Sequence, residues 1–401
     1  MSAVAVTGLG LMVPHGHHNA AVFDALMQGR SALQPVFAEL VRPAAAALVD
    51  FDPQRWFNKL QLAGVDRVSQ LAVAAADLAM ADAGAAGQVA PERLGVYAGC
   101  GMGGAAALEA AYRAGGNRVP PLTIPAFMPN APAAHVAMRQ QAQGAVLTYS
   151  VACASSAVAI AEAARAVRDG ELDMAIAGGS ESLIVPGVVM AWQAMQTLAP
   201  AAPEQATQAV RPFALDRGGF ALGEGAAFLV IESAEHARRR GARVHALLAG
   251  WGTSCDASHL TKPDAHGQAR ALRQALQRAG LQPADVGYCN AHGTATRIGD
   301  VVERAALAEV WGPALDDLRV SSTKALHGHL LGAAGALEAA ITVMALQQQR
   351  LPPNAHCREI DPECALSLVP AGGLATAGLN AAISSSFAFG GTNSVLLFTR
   401  H

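Results

Sequence analysis

The chain has 401 residues, of which 52% are hydrophobic and 15% are charged, with a formal net charge of −3 at pH 7. This length and composition allow a large core and two domains or two fused halves, and they argue against an extended or disordered chain. The weak negative charge gives no reason to expect nucleic-acid binding. An oligomeric α/β enzyme is the class that fits best.

The N-terminus enters a strand-like run at residues 3–10 without a basic region or a small-residue cleavage site, so we predict no signal peptide. No clean apolar run of about 18 to 20 residues occurs, so we predict no membrane span. The six cysteines (100, 153, 255, 289, 357 and 364) are scattered and form no CxxC pair. This pattern favours a reduced, cytoplasmic location over a disulfide framework or a zinc site.

Strand-like and helix-like segments alternate in the first half of the chain, which indicates a layered α/β architecture. In chain order we predict a strand at 3–8, a helix at 68–85, strands at 94–98 and 147–151, a helix at 155–168, and two paired strands at 174–177 and 226–231.

The second half repeats this order. We predict a strand at 244–251, a helix at 268–279, strands at 286–291 and 318–321, an alanine-rich helix at 335–348, and a closing strand pair at 381–386 and 395–398. Order and pattern, rather than sequence identity, therefore indicate two similar halves that meet near residue 245. We predict the halves to be residues 1–245, which carry Cys153, and 246–401, which carry His292 and His329; the chemistry of these residues is described below.

Cys153 lies among small residues, where an apolar strand gives way to an alanine-rich helix. A helix N-terminus offers free N–H groups and the positive end of the helix dipole, both of which favour a thiolate nucleophile. The small neighbours leave room for an approaching thioester. A buried structural cysteine is an equally good interpretation of the position alone.

Three further motifs contain candidate catalytic residues. His292 follows a strand in NAHGTAT, although a loop histidine with local hydrogen bonds would also fit. Lys324, His327 and His329 crowd into an apolar, charge-poor stretch, where burying them is costly unless they are paired or functional. A surface lysine is the alternative for Lys324, and Glu338 is its nearby residue of opposite charge.

Two consecutive glycines at 390 and 391 allow backbone N–H groups to point into a site, or simply a turn between the closing strands. The histidines of residues 15–18 lack a cysteine or carboxylate at ligand spacing, so we do not predict a metal site there. The glycine-rich turn at 99–104 lacks GxGxxG spacing, so we do not predict dinucleotide binding.

Taken together, five motifs resemble those of the β-ketoacyl-acyl-carrier-protein synthases, the condensing enzymes of fatty-acid and polyketide assembly. The resemblance spans residues from about 3 to 398. Its motifs are VACASSA at Cys153, RPFALDRGGFALGEGAA from Arg211, NAHGTATRIGD from Asn290, STKALHGHLLGAAGALEA from Ser322 and SFAFGGTN from Ser386. It implies the thiolase fold, an α/β fold with two similar halves packed as five α-β-α-β-α layers, usually in a homodimer.

The resemblance also implies roles for individual residues. Cys153 matches the nucleophile that takes the acyl chain, His292 and His329 match the catalytic histidine pair, and Lys324 matches the active-site lysine. The remaining matches are Asp300 and Glu303 as acidic residues that order the histidines, the N–H groups of Cys153 and Phe389 as the oxyanion hole, Phe389 as an aromatic gate, and Thr294 and Thr296 as pantetheine-binding hydroxyls. Asn290, Glu338 and Ser384 match positions where some relatives hold a structural monovalent cation.

The implied reaction extends an acyl group held on Cys153 by two carbons, using malonyl carried on an acyl carrier protein. It implies no metal or redox cofactor, because the condensation needs none, and it implies that the substrates are carried on phosphopantetheine. We expect Phe127 to help close the acyl pocket, from across a dimer interface. A basic patch at Arg55, Lys59 and Arg67 would suit an acidic carrier protein, although a solvated helix face fits equally well.

The chain departs from the family pattern at four positions: His327 for threonine, Val158 for histidine, Ala388 for glycine and Ser385 for asparagine. None removes a catalytic group, and a specialised polyketide or polyene pathway is as compatible with them as fatty-acid elongation. A non-catalytic chain-length partner usually lacks the nucleophilic cysteine, which this chain has. The chain therefore also fits the catalytic subunit of a heterodimer with such a partner. A degradative thiolase fits poorly, because Phe389 stands where its second reactive cysteine would be.

Overall fold

The computed structural model describes residues 3–115 and 118–401. Its strands are β1 (Val4–Met12), β2 (Leu33–Val36), β3 (Ala44–Ala47), β4 (Leu94–Gly99), β5 (Val146–Tyr149), β6 (Met174–Glu181), β7 (Leu222–Gly223), β8 (Gly225–Ser233), β9 (Ala246–Cys255), β10 (Tyr288–Asn290), β11 (Arg319–Ser321), β12 (Arg350–Leu351), β13 (Leu374–Ala375), β14 (Ala381–Phe387) and β15 (Thr392–Thr399).

Helices connect these strands. They are α1 (Asn19–Met27), α2 (Arg67–Asp82), α3 (Ala105–Ala114), α4 (Thr123–Phe127), α5 (Ala131–Gln140), α6 (Ser155–Arg168), α7 (Pro186–Ala194), α8 (Ala234–Arg239), α9 (Ala265–Ala279), α10 (Arg297–Trp311), α11 (Lys324–His327) and α12 (Ala334–Gln348). None of the described helices combines the length and the hydropathy needed to cross a membrane.

The main sheet consists of two copies of one topology. Its order is β11-β10-β14-β15-β9 followed by β1-β8-β6-β4-β5. Each five-strand set places its own first strand beside its fifth, followed by its fourth, second and third. The sets meet where β1 pairs antiparallel with β9, from Val4 opposite Leu248 to Val6 opposite Ala246. The duplicated fold is therefore confirmed, and a division into residues 1–245 and 246–401 stays a prediction that the repeated strand order supports.

The helices complete five layers. The outer helices α2 and α5 cover the first set of strands, whereas α9 covers the second and α10 packs against α9. Between the two sets, α6 packs against α12, and each of these helices also contacts strands of both sets. All residues of α12 from Ala334 to Leu346 are buried, as expected for a helix covered on every side. The predicted five-layered thiolase fold is confirmed.

Glycines at equivalent positions bring the first strand of each set against its helix. A Cβ atom on Gly10 of β1 would lie 1.9 Å from the carbonyl oxygen of Ala75 in α2. A Cβ atom on Gly252 of β9 would lie 1.9 Å from the carbonyl oxygen of Ala271 in α9. Both contacts are impossible for a larger residue, so the two halves share their packing as well as their strand order.

The predicted elements are all present, and the helix at 155–168 has the predicted ends. The prediction omitted helices α1, α3, α4, α5, α7, α8, α10 and α11, the strand pair β12 and β13, and the small sheet of β2, β3 and β7. The sequence of β3 is four alanines, a residue depleted in strands, so only its tertiary pairing makes it extended. Helix α10 begins at Arg297, directly after the NAHGTAT turn.

Candidate active site

The candidate residues meet in a cavity of about 550 Å³. Cys153 follows β5, His292 follows β10, Lys324 and His329 follow β11, and Phe389 follows β14. Because the parallel strands of each half end at the same edge, their following turns converge there. Four sequence motifs that lie far apart in the chain therefore form one site at the junction of the two halves.

Cys153 lies in a tight turn that leads into α6. The turn residue Ala152 has a φ of 48°, a left-handed conformation that is unusual for a residue other than glycine. The hydroxyl of Ser155 stabilises this turn, because it donates to the carbonyl of Ala152 at 2.6 Å and accepts from the N–H of Val151 at 2.9 Å. The thiol is thereby placed at the start of α6 and faces the cavity.

The environment of the thiol opposes ionisation more than the sequence predicted. Burial raises the pKa of Cys153 to about 12, and the positive charge of Lys324 only partly offsets this rise. Burial therefore opposes the effect expected from the start of the helix, and the reactivity of the thiol stays a prediction. Burial favours the protonated thiol, so the proton leaves the sulfur as it attacks a thioester, while the start of α6 and the charge of Lys324 favour the developing thiolate.

His329 is the hydrogen-bonding side chain that contacts the thiol. Its Nε2 atom lies 3.0 Å from the Sγ atom of Cys153. The backbone N–H of Leu331 donates to its Nδ1 atom at 3.3 Å, so Nδ1 acts as the acceptor and the proton resides on Nε2. His329 therefore directs an N–H donor toward the thiol and the cavity.

His292 has the same tautomer for a different reason. The ammonium of Lys324 lies 3.5 Å from its Nδ1 atom and donates to its backbone carbonyl at 2.6 Å. An ammonium can only donate, so Nδ1 of His292 accepts and Nε2 carries the proton. The ring centroids of His292 and His329 are 5.5 Å apart. Two N–H donors thus face one site.

Both imidazoles are neutral. Burial and the positive charge of Lys324 hold the pKa values of His292 and His329 well below the usual range for histidine. A neutral imidazole with its proton on Nε2 can donate to a developing negative charge without first losing or gaining a proton. The arrangement suits the stabilisation of an oxyanion or enolate.

Glu303 and Asp300 order the segment around His292. The carboxylate of Glu303 accepts from the N–H groups of His292 at 2.8 Å and Gly293 at 2.7 Å. Asp300 accepts from the N–H of Phe213 at 2.8 Å and lies 3.8 Å from Arg217. Both carboxylates are buried and contact backbone rather than the thiol, which is consistent with the supporting role expected for them.

Lys324 is completely buried and forms an ion pair with Glu338. This confirms the predicted proximity of opposite charges and is inconsistent with a surface lysine. The second carboxylate oxygen of Glu338 has no hydrogen-bond partner in the described structure, and neither does Oδ1 of Asn290 or Oγ of Ser384. Asn290 and Ser384 are register partners on adjacent strands. Three buried oxygens without donors are a ligand set that fits a hard cation.

The turn at Phe389 contains the second candidate oxyanion donor. Within it, the N–H groups of Ala388, Gly390 and Gly391 donate to backbone carbonyls. The N–H of Phe389 donates to no protein acceptor in the described structure and that of Cys153 contacts only its own thiol, so both stay available to a ligand. The positive φ values of Gly390 (86°) and Gly391 (78°) account for the glycines.

Two aromatic residues that sequence reasoning missed complete the cavity. Trp192 of α7 stacks on Phe389 with centroids 6.1 Å apart, and Phe220 packs edge-on against both Trp192 and His329. Trp192 is the one aromatic residue of α7, and that was the available signal. Thr294 and Thr296 also line the cavity, and their hydroxyls are 3.0 Å apart.

The structure does not gather every candidate residue. Phe127 ends α4 and is not among the residues that line the cavity of its own chain. Arg67, a candidate for the basic patch, is engaged in an ion pair with Glu224 at 2.6 Å.

His327 is one of the residues that depart from the family pattern. It is buried, and its two ring nitrogens form hydrogen bonds with Gly328 and Thr323, so it does not compete with His329 for the site.

Cys153, His292 and His329 could also be considered as metal ligands, since their ligand atoms lie within 4.8 Å of one another. A metal requires a thiolate and unprotonated ring nitrogens. Here the contacts at Nδ1 leave the protons on the cavity-facing Nε2 atoms, and burial favours the protonated thiol. The arrangement therefore fits hydrogen-bond donation better than metal binding.

The family is decided by comparison with known proteins. The family model described as "Beta-ketoacyl synthase, N-terminal domain" matches residues 1–237, and that of the C-terminal domain matches residues 245–358. The chain belongs to the β-ketoacyl synthase family. It is an acyltransferase-type enzyme, as the sequence motifs predicted.

Relatives match along the whole chain. Nodulation protein E of Rhizobium meliloti (strain 1021) is 40% identical over 403 residues, 98% of each chain. The 3-oxoacyl-[acyl-carrier-protein] synthase 2 of Staphylococcus aureus (strain COL) is 35% identical over 408 residues, 99% of this chain and 98% of the relative.

Solved ketosynthase structures have the same fold. One is a type II polyketide-synthase ketosynthase, bound to the hexaketide, in complex with its acyl carrier protein (TM-score 0.92, 28% identity, 100% of each chain). Another is the ishigamide ketosynthase/chain length factor (TM-score 0.91, 32% identity, 100% of this chain and 99% of that chain).

Proposed function

We propose that this β-ketoacyl synthase elongates an acyl chain by two carbons, by decarboxylative condensation of an acyl group on Cys153 with malonyl on an acyl carrier protein. The observation that carries the proposal is the pair of neutral imidazoles whose Nε2–H groups face the cavity beside the thiol. A hydrolase would use one histidine as a base, and it would gain nothing from a second donor or from a lysine that keeps both imidazoles neutral.

The first step is acyl transfer. The sulfur of Cys153 attacks the thioester carbon of the donor, and the free N–H groups of Cys153 and Phe389 stabilise the oxyanion of the tetrahedral intermediate. The bond to the pantetheine sulfur then breaks. That sulfur leaves with the proton given up by the Cys153 thiol, so an acyl-enzyme and a free carrier thiol result.

The second step is condensation. Malonyl loses carbon dioxide, and the electron pair of the broken carbon–carbon bond becomes an enolate whose oxygen accepts hydrogen bonds from His292 and His329. The enolate carbon attacks the Cys153 thioester and forms the new carbon–carbon bond. The carbon–sulfur bond of that thioester breaks, and the released thiolate of Cys153 takes one proton from water. No redox change occurs in either step.

The cavity also suits a substrate delivered on a long arm. Thr294 and Thr296 offer hydroxyls along its wall, where they can accept and donate hydrogen bonds to the amides of a pantetheine chain. The staphylococcal relative is named as a synthase that acts on an acyl carrier protein, and one solved ketosynthase is in complex with its acyl carrier protein. We therefore propose phosphopantetheine-linked substrates and no additional cofactor, with a cytoplasmic location in which the scattered thiols stay reduced.

The apolar face around β5 supports a dimer. Strand β5 is an edge of the main sheet, and Leu147 on it is 44% exposed. Neighbouring α3, α4 and α5 expose Tyr112, Ile124 and Met138. An unpaired edge strand flanked by exposed apolar side chains is unfavourable in a monomer. We propose that a second copy covers this face; a chain-length partner, as in the ishigamide structure, is the alternative occupant.

To test the reaction, purified protein is incubated with acyl-carrier thioesters of several lengths and its intact mass is recorded. We expect an acyl adduct on the wild type and none on Cys153→Ala. Adding malonyl-carrier should remove the adduct and give a β-keto product two carbons longer. His292→Ala and His329→Ala should still load but extend about 10² to 10³ times more slowly, since each removes an oxyanion donor. An adduct on Cys153→Ala, or no adduct with any donor, would contradict the proposal.

To test the dimer, the solution mass is measured by light scattering. We expect the wild type at twice the chain mass, and Ile124→Asp or Leu147→Asp at the chain mass, because a buried aspartate without a partner destabilises an interface. Val41→Asp changes an equally apolar, fully exposed side chain elsewhere and serves as the control.

If the dimer places Phe127 at the partner's pocket, Phe127→Ala loosens chain-length discrimination. A monomeric wild type would exclude the proposed dimer. Unchanged product lengths in Phe127→Ala would exclude the role of Phe127 in the acyl pocket.

To test the cation site at Asn290, Glu338 and Ser384, thermal unfolding is compared in K⁺, Na⁺ and a bulky quaternary ammonium salt at equal ionic strength. A small cation should raise the melting temperature of the wild type, because it binds only the folded chain. Ser384→Ala should reduce that difference, whereas Ser394→Ala, which removes another unpartnered buried hydroxyl, should not. Equal melting temperatures in all three salts would show that no cation binds.

A further inference from the structure

Glu181 is a buried carboxylate that the proposed chemistry does not use. It ends β6, and its side chain is fully buried. Its Oε2 atom accepts from the N–H groups of Gly101 at 2.8 Å and Gly332 at 3.0 Å, and its Oε1 atom accepts from the N–H of Met102 at 3.3 Å. One carboxylate therefore joins a loop of the first half to a loop of the second half.

No lysine or arginine pairs with Glu181 in the described structure. Burial raises its pKa to about 7, and the three backbone donors act against that rise. Burying a carboxylate without a cation is costly, so its retention calls for a specific use. Its closest donors are both glycines. A Cβ atom on Gly101 would lie 2.5 Å from Oε2, and one on Gly332 would lie 2.6 Å from it, so the loops fit closely around the carboxylate.

The contact with Gly332 leads to His329. Gly332 follows Leu331, whose φ of 46° is unusual for a leucine and needs support from its surroundings. The N–H of Leu331 is the donor that occupies Nδ1 of His329 and keeps the proton on Nε2. Glu181 thus anchors the residue immediately after the strained position that sets the tautomer of His329.

The contact with Gly101 leads to Cys153. The carbonyl of Gly101 accepts from the hydroxyl of Ser150 at 3.0 Å, and Ser150 begins the turn that presents the thiol. The same carboxylate therefore holds the supports of both partners in the 3.0 Å contact between Cys153 and His329. These two residues come from different halves of the chain, and Glu181 acts directly on both supporting loops.

We propose that Glu181 is a positioning residue for the condensation step, which fixes the Nε2–H of His329 relative to the acyl group on Cys153 by joining the loops at Gly101 and Gly332. The inference rests on the proposed ketosynthase reaction. It predicts that losing the carboxylate harms the step that needs the His329 donor much more than it harms loading of Cys153.

The experiment is a single-turnover chase. Cys153 is loaded with an acyl group, the loaded fraction is measured by intact mass, and malonyl-carrier is then added. For Glu181→Leu we expect the extension rate per loaded enzyme to fall about 100-fold, as misplacement of a catalytic group by about 1 Å does. The loss should appear in kcat, with KM for malonyl-carrier changed less than about threefold. Glu181→Gln keeps one acceptor oxygen and should lose about tenfold or less.

Glu232→Gln is the matched control. Glu232 is also a buried carboxylate of the main sheet, but it lies at the far end of β8, opposite Met174 at the start of β6. It binds Thr7, His236 and Arg240, which are not part of the site. This variant measures the effect of altering a buried carboxylate on stability alone, and its extension rate per loaded enzyme should equal that of the wild type.

Gly332→Ala tests the same contact in a second variant if Glu181→Leu does not fold. Its methyl group would lie 2.5 Å from the backbone nitrogen of Gly101 and 2.6 Å from Oε2 of Glu181, so it would separate the two joined loops while leaving the charge in place. Extension should fall at least about tenfold per loaded enzyme, with loading retained, because the donor is displaced. Extension at the wild-type rate, or equal proportional losses of loading and extension, would overturn the positioning role. Failure of the wild type to load or extend would instead overturn the proposed function.

Discussion

The active site depends on one buried ion pair, between Lys324 and Glu338. Removing two charges from water costs several kcal/mol for each, and the pair recovers that cost only through close contact and further hydrogen bonds. Lys324 makes these bonds to the carbonyl and Nδ1 of His292. A charge that is expensive to bury is thereby placed where it keeps two neighbouring histidines neutral and sets the tautomer of one of them.

The remaining parts of the site follow from that constraint. With both imidazoles restricted to donation, the base-assisted chemistry of a hydrolase is disfavoured, and stabilisation of oxyanions and enolates is favoured. The backbone then supplies what the side chains do not. Leu331 fixes the tautomer of His329, and the free N–H groups of Cys153 and Phe389 are available to the tetrahedral intermediate. The duplicated fold is what brings these loops together, because each half ends its parallel strands at the shared site.

Sequence was sufficient for features that depend on local pattern. The repeated strand order, helix α6 and the motifs around Cys153, His292 and His329 were all predictable, because apolar periodicity and small-residue turns are local signals. Features set by tertiary contacts were not. The alanines of β3 carry no strand signal, and the pKa of Cys153 depends on how deeply the thiol is buried. Glu181 lies four residues beyond the predicted strand at 174–177, and only the fold shows which loops it joins.

The central claim, that His292 and His329 are neutral donors with protons on Nε2, can be tested by NMR of protein labelled with ¹⁵N-histidine. His292→Ala and His329→Ala variants assign the two signals. Because both pKa values lie well below the usual range, we predict that both rings keep the neutral Nε2–H signature from about pH 8 down to about pH 6, where ordinary histidines titrate. Protonation of either ring in that interval, or a proton on Nδ1, would contradict the account.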